Sequence, residues 1–95
     1  METNYIKEMI EQATAFAQSG RHDLALNLCN VALDLIGADD ARSRARLLFL
    51  RGQIAYKLNN HRGALDDLQQ AIALDADLAA NLSGEFSKFY KESCH

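Results

Sequence analysis

Two histidines and a cysteine are the side chains of this chain with the greatest capacity for chemistry. His22 and His61 lie 39 positions apart in a sequence of 95 residues, and paired imidazoles can bind a metal ion or transfer protons. A metal site requires three or four ligands, whereas this pair supplies only two. We therefore expect no metal ion and no cofactor, and we predict that both histidines pack between helices.

Cys29 is the third candidate, and its surroundings argue against reactivity. It lies between Leu28 and Ala32 on an apolar helical segment, which favours a buried, inert thiol over a nucleophile. Cys94 lies at the terminus, and the two cysteines form no CxxC pair. The sequence also contains no GxxxxGK[ST], GxGxxG or HExxH motif. We expect a protein that is not an enzyme.

The composition points to an all-α protein of modest size. Hydrophobic residues make up 48% of the chain, proline is absent, and ten Lys and Arg against thirteen Asp and Glu give a net charge of −3. That charge makes nucleic acid an unlikely general partner. The longest stretch without Asp, Glu, Lys or Arg, Leu24 to Leu33, is about half a membrane span. The first ten residues lack the pattern of a signal peptide, so we expect a cytoplasmic protein with reduced thiols and no membrane association.

The chain is an internal duplication with a period of 39 residues. A shift of that length places residues of the same type and size on each other: His22 on His61, Ala25 on Ala64, Leu26 on Leu65, Ala32 on Ala71 and Leu35 on Leu74. Apolar residues recur at steps of three and four within each block, which predicts two helices per block. Gly20 and Asn59 fall at equivalent turn positions, and both residue types tolerate the left-handed conformation that ends a helix.

Helix boundaries follow from these signals. The first helix includes Ile6 to Ala17, the second carries apolar residues from Leu24 to Ile36, the third runs from about Ala41 to Leu58, and the fourth runs from about Arg62 to Leu74. Asp39 or Asp40 is the expected N-cap of the third helix. A fifth helix from about Leu78 carries Leu82, Phe86, Phe89 and Tyr90 on one stripe, and we expect it to cover the apolar edge of the second block.

The second block resembles a tetratricopeptide repeat, an antiparallel pair of helices in 34 residues. Small residues at Gly52, Ala64 and Ala71 carry this resemblance, whereas Leu48, Arg51, Ala55 and Ala76 depart from the family pattern. The resemblance implies a right-handed α-α superhelix built from two antiparallel helix pairs and a fifth capping helix. It implies one domain over residues 1–95, with repeats at about 6–39 and 45–78 and the capping helix at about 79–92.

The resemblance also implies a concave groove, lined by the first helix of each repeat, that binds a peptide or a segment of a partner protein. At 100° per residue, the third helix places Arg42, Arg46, Gln53 and Lys57 together, flanked by Phe49 and Tyr56. The first helix contributes Lys7, Glu11, Thr14 and Gln18. Arginine donates paired hydrogen bonds to carboxylates, so this surface favours an acidic or carboxylate-ended peptide. The clamp of family members that bind chaperone tails is absent, because Ile10, Thr14 and Leu50 stand in its places.

Three alternatives remain open at this stage. The arginines could be a solvated surface paired with Asp39, Asp40, Asp66 or Asp67, because runs of charge are usually solvated. Arg42, Arg46 and Arg51 could instead contact RNA or DNA, which would make binding fall steeply with salt. Finally, two repeats are few for a stable array, so the chain could be a chaperone or assembly factor that forms a homodimer through the capping helix or through the edge of the first repeat.

Overall fold

The computed structural model describes residues 2–37, 40–82 and 84–93, with side chains from Tyr5 onward. Five α-helices and one 3-10 helix make up these residues. The helices are α1 (Glu2–Gln18), α2 (His22–Leu35), α3 (Ala41–Lys57), α4 (His61–Leu74), the 3-10 helix Ala76–Asn81, and α5 (Gly84–Ser93). The expected all-α architecture of packed helix pairs is confirmed, with α1 packed on α2, α3 packed on α4, and α2 and α3 in contact between the pairs.

The two hairpin turns have the same backbone structure. Gly20 has φ +82° and Asn59 has φ +67°, as expected for the left-handed residue after a helix. The N–H of Arg21 donates to the carbonyl of Phe16 at 2.9 Å, and the N–H of Asn60, 39 positions later, donates to that of Ala55 at 2.8 Å. The duplication seen in the sequence therefore extends to individual turn hydrogen bonds.

Side-chain caps begin the helices of the second pair. The Oδ1 of Asp40 accepts from the N–H of Ser43 at 3.2 Å, which confirms Asp40 as the N-cap of α3. Asn60 caps α4 in the same manner, accepting from the N–H of Gly63 at 3.1 Å. The other predicted N-cap, Asp39, lies outside the described residues, as do Cys94 and His95.

Small side chains let the paired helices approach closely. Ala13, Ala25 and Ala32 are fully buried in the first pair, and Ala64 and Ala71 are fully buried in the second. A Cβ on Gly52 would lie 3.0 Å from Cγ of Leu68 and 3.1 Å from the carbonyl oxygen of Ala64. Since van der Waals contacts between carbon atoms lie near 3.5–4.0 Å, α3 and α4 can pack this closely only with glycine at position 52.

The C-terminal segment differs from the single helix expected from about residue 78 or 79. Residues 76–81 form the 3-10 helix, Leu82 is extended, and α5 begins only at Gly84. Asp75 begins the first of these elements, because its backbone is extended and its side chain caps the 3-10 turn by accepting from the N–H of Asp77 at 3.2 Å. Gly84 then has φ +54°, a left-handed conformation that does not continue a right-handed helix.

Candidate functional site

A cavity of about 210 Å³ lies between α1 and α3. Among the described residues, the apolar side chains that line it are Ala17 of α1, Leu50 and Ile54 of α3, and Phe86 of α5. Most of the lining comes from α1 and α3, the first helices of the two pairs, and α2 and α5 each contribute one residue, His22 and Phe86. The cavity can hold one apolar side chain of a partner in contact with these walls.

Polar side chains surround this cavity. Thr14 and Gln18 of α1 lie on one side, and Gln53 and Lys57 of α3 lie on the other. The Thr14 hydroxyl donates to the carbonyl oxygen of Ile10 at 2.8 Å, so its lone pairs remain able to accept a hydrogen bond. The two glutamine amides each offer donors and acceptors, which suits the peptide groups of an extended segment.

Lys57 is held at this end of the cavity by α5. Its Nζ donates to Oε1 of Glu85 at 2.8 Å and lies 5.4 Å from the centroid of the Phe86 ring. Both charged side chains are about half exposed, at 48% for Lys57 and 53% for Glu85. Such an exposed ion pair contributes little to stability, but it fixes where the ammonium group lies.

Three further cations are exposed on α1 and α3. Arg42 and Arg46 are exposed on α3, in register with Gln53 and Lys57 at helical steps of four and seven residues. Lys7 is exposed on α1, seven positions before Thr14 and so on the same side of that helix. Among the described residues, none of these three side chains forms an ion pair. They extend a positively charged surface from the cavity toward the N-termini of the two helices.

The two predicted aromatic residues are engaged in packing beside the cavity. Phe49 is half-buried and packs against the cluster that contains Ala45, Leu48, Ala71 and Leu78. The Tyr56 ring lies 4.9 Å from the His61 ring, 5.1 Å from Phe86 and 4.8 Å from Phe89, measured between centroids. Neither Phe49 nor Tyr56 is among the described residues that line the cavity. The aromatic area facing the groove comes instead from Phe86, which the sequence analysis assigned to covering the second block.

The two histidines have different surroundings. His61 is stacked on Tyr56 with an angle of 17° between ring planes and also contacts Phe89 at 5.4 Å, so its predicted packing role between helices is confirmed. His22 is half-buried at the start of α2 and lines the cavity. Its Nδ1 is buried without a hydrogen-bond partner. Among the described residues, no cluster of three His, Cys, Asp or Glu side chains could hold a metal ion.

Arg51 is the centre of a polar network that joins three helices. Its Nε and Nη2 donate to the two carboxylate oxygens of Asp67 at 2.8 and 2.9 Å, and its Nη1 donates to Oδ1 of Asn30 at 2.8 Å. Asp67 is buried, with 7% of its surface exposed. The pairing with Asp67 that the solvated-surface alternative named is present for this residue, but the carboxylate is buried and not on a solvated surface. Arg51 points away from the groove and joins α2, α3 and α4.

The signal for this network was present in the sequence. Arg51 stands where the family pattern has an apolar residue, and Asp67 interrupts the apolar positions Ala64, Leu68 and Ala71 of the fourth helix. A charged residue is rarely buried without a partner. Two such residues on adjacent helices of one hairpin are therefore a candidate pair.

The electrostatic state of this region follows from its burial and its charges. The hydrogen bonds from Arg51 to Asp67 raise the pKa of the guanidinium group further above its ordinary value. Burial raises the pKa of the Cys29 thiol to about 11, although the positive charge of Arg51 opposes that change. The predicted burial of Cys29 is confirmed, since no part of it is exposed. At neutral pH the thiol is protonated, which makes it a poor nucleophile.

None of the helices formed by residues 2–37, 40–82 and 84–93 is both long enough and apolar enough to cross a bilayer.

The comparisons with known proteins place the second helix pair in a family. Residues 45–78 match the family model described as Tetratricopeptide repeat. No curated protein and no solved structure matches the chain. The matched segment begins in α3, contains all of α4 and ends in the 3-10 helix at Leu78, and it includes the three small residues on which the resemblance rested. Residues 45–78, about a third of the chain, therefore match a single tetratricopeptide repeat, and this match covers the second helix pair.

Proposed function

We propose that this protein is a noncatalytic interaction module that binds an extended segment of a partner protein in the groove between α1 and α3. The tetratricopeptide repeat supports a role in protein–protein interaction. The observation that carries the finer proposal is the cavity itself, because apolar walls are surrounded by hydrogen-bonding side chains of both helices. An apolar side chain of the partner would enter the cavity, while Gln18 and Gln53 would bind its backbone.

The charge distribution supports an acidic partner segment. Arg42, Arg46 and Lys7 are exposed cations of the same surface, and Lys57 lies at the other end of the cavity. Glu11 is the acidic residue among the four that α1 contributes to this surface, which are Lys7, Glu11, Thr14 and Gln18. We infer that the acidic residues, or the carboxylate end, of the partner lie beside Arg46 and Arg42, because Lys57 already has Glu85 as its partner.

The same proposal treats the first helix pair as a diverged repeat, over about residues 6–39, within a single domain of residues 1–95. The equivalent turn hydrogen bonds of the two pairs support this division, as do the fully buried alanines at equivalent positions. α5, the later part of the segment expected to cap the second repeat, packs its Phe86 and Phe89 on Tyr56. A cytoplasmic location stays a prediction from the sequence.

Selection from a random peptide display library against the full chain tests the groove proposal. We expect enrichment of peptides that combine an apolar side chain with acidic residues. Binding of an enriched synthetic peptide should fall at least tenfold in Arg46→Glu and in Gln53→Ala, with amide shifts of Thr14, Gln18 and Gln53 in NMR titrations. Arg62→Glu is the matched control, because Arg62 is an exposed arginine on α4 and should leave binding unchanged.

Two outcomes would reject the proposal. Equal affinity in Arg46→Glu and Arg62→Glu would show that the peptide binds elsewhere. Tight binding of a labelled single-stranded RNA that is lost steeply with added salt and in Arg46→Glu, without peptide enrichment, would support a nucleic-acid contact instead. Arg51 would contribute little to that contact, since its donors are used by Asp67 and Asn30.

A further inference from the structure

An apolar stripe on α2 is exposed on the side of the molecule that faces away from the second repeat. It consists of Leu24, Leu28, Val31 and Leu35, at helical steps of four, three and four residues. Leu24, Val31 and Leu35 have 43%, 50% and 57% of their surface exposed, whereas Leu28 is half-buried and also packs against the core cluster that contains Ala25 and Cys29. The sequence analysis placed these residues on the apolar side of the second helix, but the buried positions of α2 are Ala25, Cys29 and Ala32. We call the four residues the α2 stripe.

The internal repeat shows what kind of surface the α2 stripe is. The equivalent positions on α4, 39 residues later, are Gly63, Asp67, Gln70 and Leu74. Gly63, Asp67 and Gln70 line a space shared with Leu26 and Asn30 of α2, and Asp67 is joined to Asn30 through Arg51. This side of α4 is therefore directed toward α2, which is the second helix of the first pair. On α2 the same side is apolar, and no helix of the described residues covers it.

The end of the molecule formed by α4 is covered by other segments of the chain. The 3-10 helix and α5 both pack on α4, and Leu78 of the 3-10 helix is buried in a cluster with Ile72 of α4. A second copy therefore cannot add its first helix pair to α4, in the way that the second helix pair of one chain packs on the first pair through α3. The contact that remains open to a second copy pairs the α2 stripe with itself.

The spacing of the stripe fits such a self-pairing. Leu24 and Leu35 lie equally far along the helix from the midpoint between Leu28 and Val31. In an antiparallel pair of α2 helices related by a two-fold axis, Leu24 would lie opposite Leu35 of the second copy, and Leu28 opposite Val31. We propose that this protein forms a two-fold symmetric homodimer through the α2 stripe, independently of partner binding in the groove.

Tyr5 would enlarge this interface. It is 60% exposed and lies nine residues before Thr14, which is about half a turn round the helix. Because Thr14 faces α3 across the groove, Tyr5 points away from α3. The antiparallel arrangement of α1 and α2 brings the start of α1 to the end of α2 that carries Leu35. One helix stripe with one tyrosine is smaller than a standard interface of about 800 Å² per partner, so we expect a reversible dimer.

Sedimentation equilibrium of the full chain over a dilution series from the millimolar to the low micromolar range tests the dimer. We expect a reversible change between the 10.6 kDa monomer and twice that mass. Leu35→Glu should weaken dimerisation at least tenfold, and so should Val31→Gln, which introduces the residue type found at position 70. Leu74→Glu is the matched control, since Leu74 is the repeat equivalent of Leu35 and is similarly exposed, at 44%. Circular dichroism must show unchanged helix content in each variant.

Crosslinking tests the symmetry. In a Cys94→Ser background, Val31→Cys places the new thiol near the proposed two-fold axis, and a short bismaleimide should link two copies. Leu74→Cys in the same background should give no link. A wild-type chain that is monomeric throughout the series would overturn the proposal, as would equal weakening by Leu35→Glu and Leu74→Glu. Masses that grow beyond the dimer would also overturn it, because a two-fold contact closes on itself.

Discussion

Arg51 and Asp67 form a bidentate ion pair that joins α3 and α4, the two helices of the second pair. The Nε and Nη2 of Arg51 lie 2.8 and 2.9 Å from the carboxylate oxygens of Asp67. The third donor of the same guanidinium reaches Asn30 in the first helix pair. One arginine therefore connects three helices, at the position where the family pattern has an apolar residue.

We expect removal of either side chain of this pair to lower the stability of the fold substantially. Arg51→Ala leaves the buried carboxylate of Asp67 without a partner, which should lower the free energy of unfolding by about 2–4 kcal/mol, since the pair is only partly buried. Arg51→Lys should recover only part of the loss, because lysine lacks the planar fork. Urea denaturation followed by circular dichroism measures these values. Asp66→Asn is the control, because the exposed Asp66 should change stability by less than about 0.5 kcal/mol; an equal loss there would contradict the prediction.

The buried thiol of Cys29 predicts that the fold becomes less stable at high pH. Burial raises its pKa from 9.0 to about 11. Both the folded and the unfolded chain keep this proton below pH 9, so the stabilising contribution is then complete. As the pH rises from 9 to 11, only the unfolded chain loses the proton, and the free energy of unfolding should fall by about 2–3 kcal/mol.

Cys29→Ala isolates this effect from the titration of other groups. Urea denaturation at pH 7 to 11 should show a smaller fall in stability for the variant than for the parent chain. In a Cys94→Ser background, the Cys29 thiol should also react with a disulfide reagent only as fast as the chain unfolds. Rapid labelling of the folded chain at pH 8 would disprove its burial.

Because Gly52 and Leu68 lie in close contact, we expect substitutions at the two positions to have non-additive effects on the free energy of unfolding. A Cβ at position 52 would lie 3.0 Å from Cγ of Leu68, so Gly52→Ala should cost about 1–3 kcal/mol through overpacking. The first repeat has Ala13 and Cys29 at the equivalent positions, where a larger residue faces a smaller one. Leu68→Cys should therefore relieve the overpacking, and the double variant should lose about 1 kcal/mol less than the sum of the single losses. Simple additivity in denaturation curves would refute the coupling.

Two substitutions of the turn residue Asn59, by alanine and by glycine, should differ in their effect on stability. Because its φ is +67°, Asn59→Ala should lower stability by about 1 kcal/mol, whereas Asn59→Gly should leave it unchanged or raise it slightly. The equivalent Gly20, at φ +82° with no atom within 4 Å of an added Cβ, should show a similar loss in Gly20→Ala. Thermal unfolding compares the three variants, and equal stability of Asn59→Ala and Asn59→Gly would be the contrary result.

Much of the fold could be predicted because the signals are local. The 39-residue period, the steps of apolar residues and the turn residues Gly20 and Asn59 determine helices and turns whose hydrogen bonds join neighbours in the chain. The C-terminal segment was harder to predict. Its apolar spacing fits a helix from about residue 78, but the extended backbone of Leu82 and the left-handed Gly84 divide it into two elements.

The candidate site was predicted less completely, because its properties depend on contacts between distant residues. Lys57 and Tyr56 were expected to face a partner, but residues of α5 contact both side chains. Arg51 has the same charge as Arg46, yet of these two only Arg51 pairs with an aspartate within the part of the chain that the structure describes. A helical wheel gives the direction of a side chain on its own helix and contains no information about what lies opposite.

The sequence by itself determined that this chain is a helical repeat protein, with one helix pair in the tetratricopeptide family and small residues at the close contacts. The reason is that periodicity, glycine conformation and side-chain size act within a helix or a hairpin. Only the tertiary structure decided which cations remain exposed, that Phe86 rather than Tyr56 lines the groove, and that no helix of the described residues covers the α2 stripe. These properties arise when segments far apart in sequence bury each other, which no local pattern records.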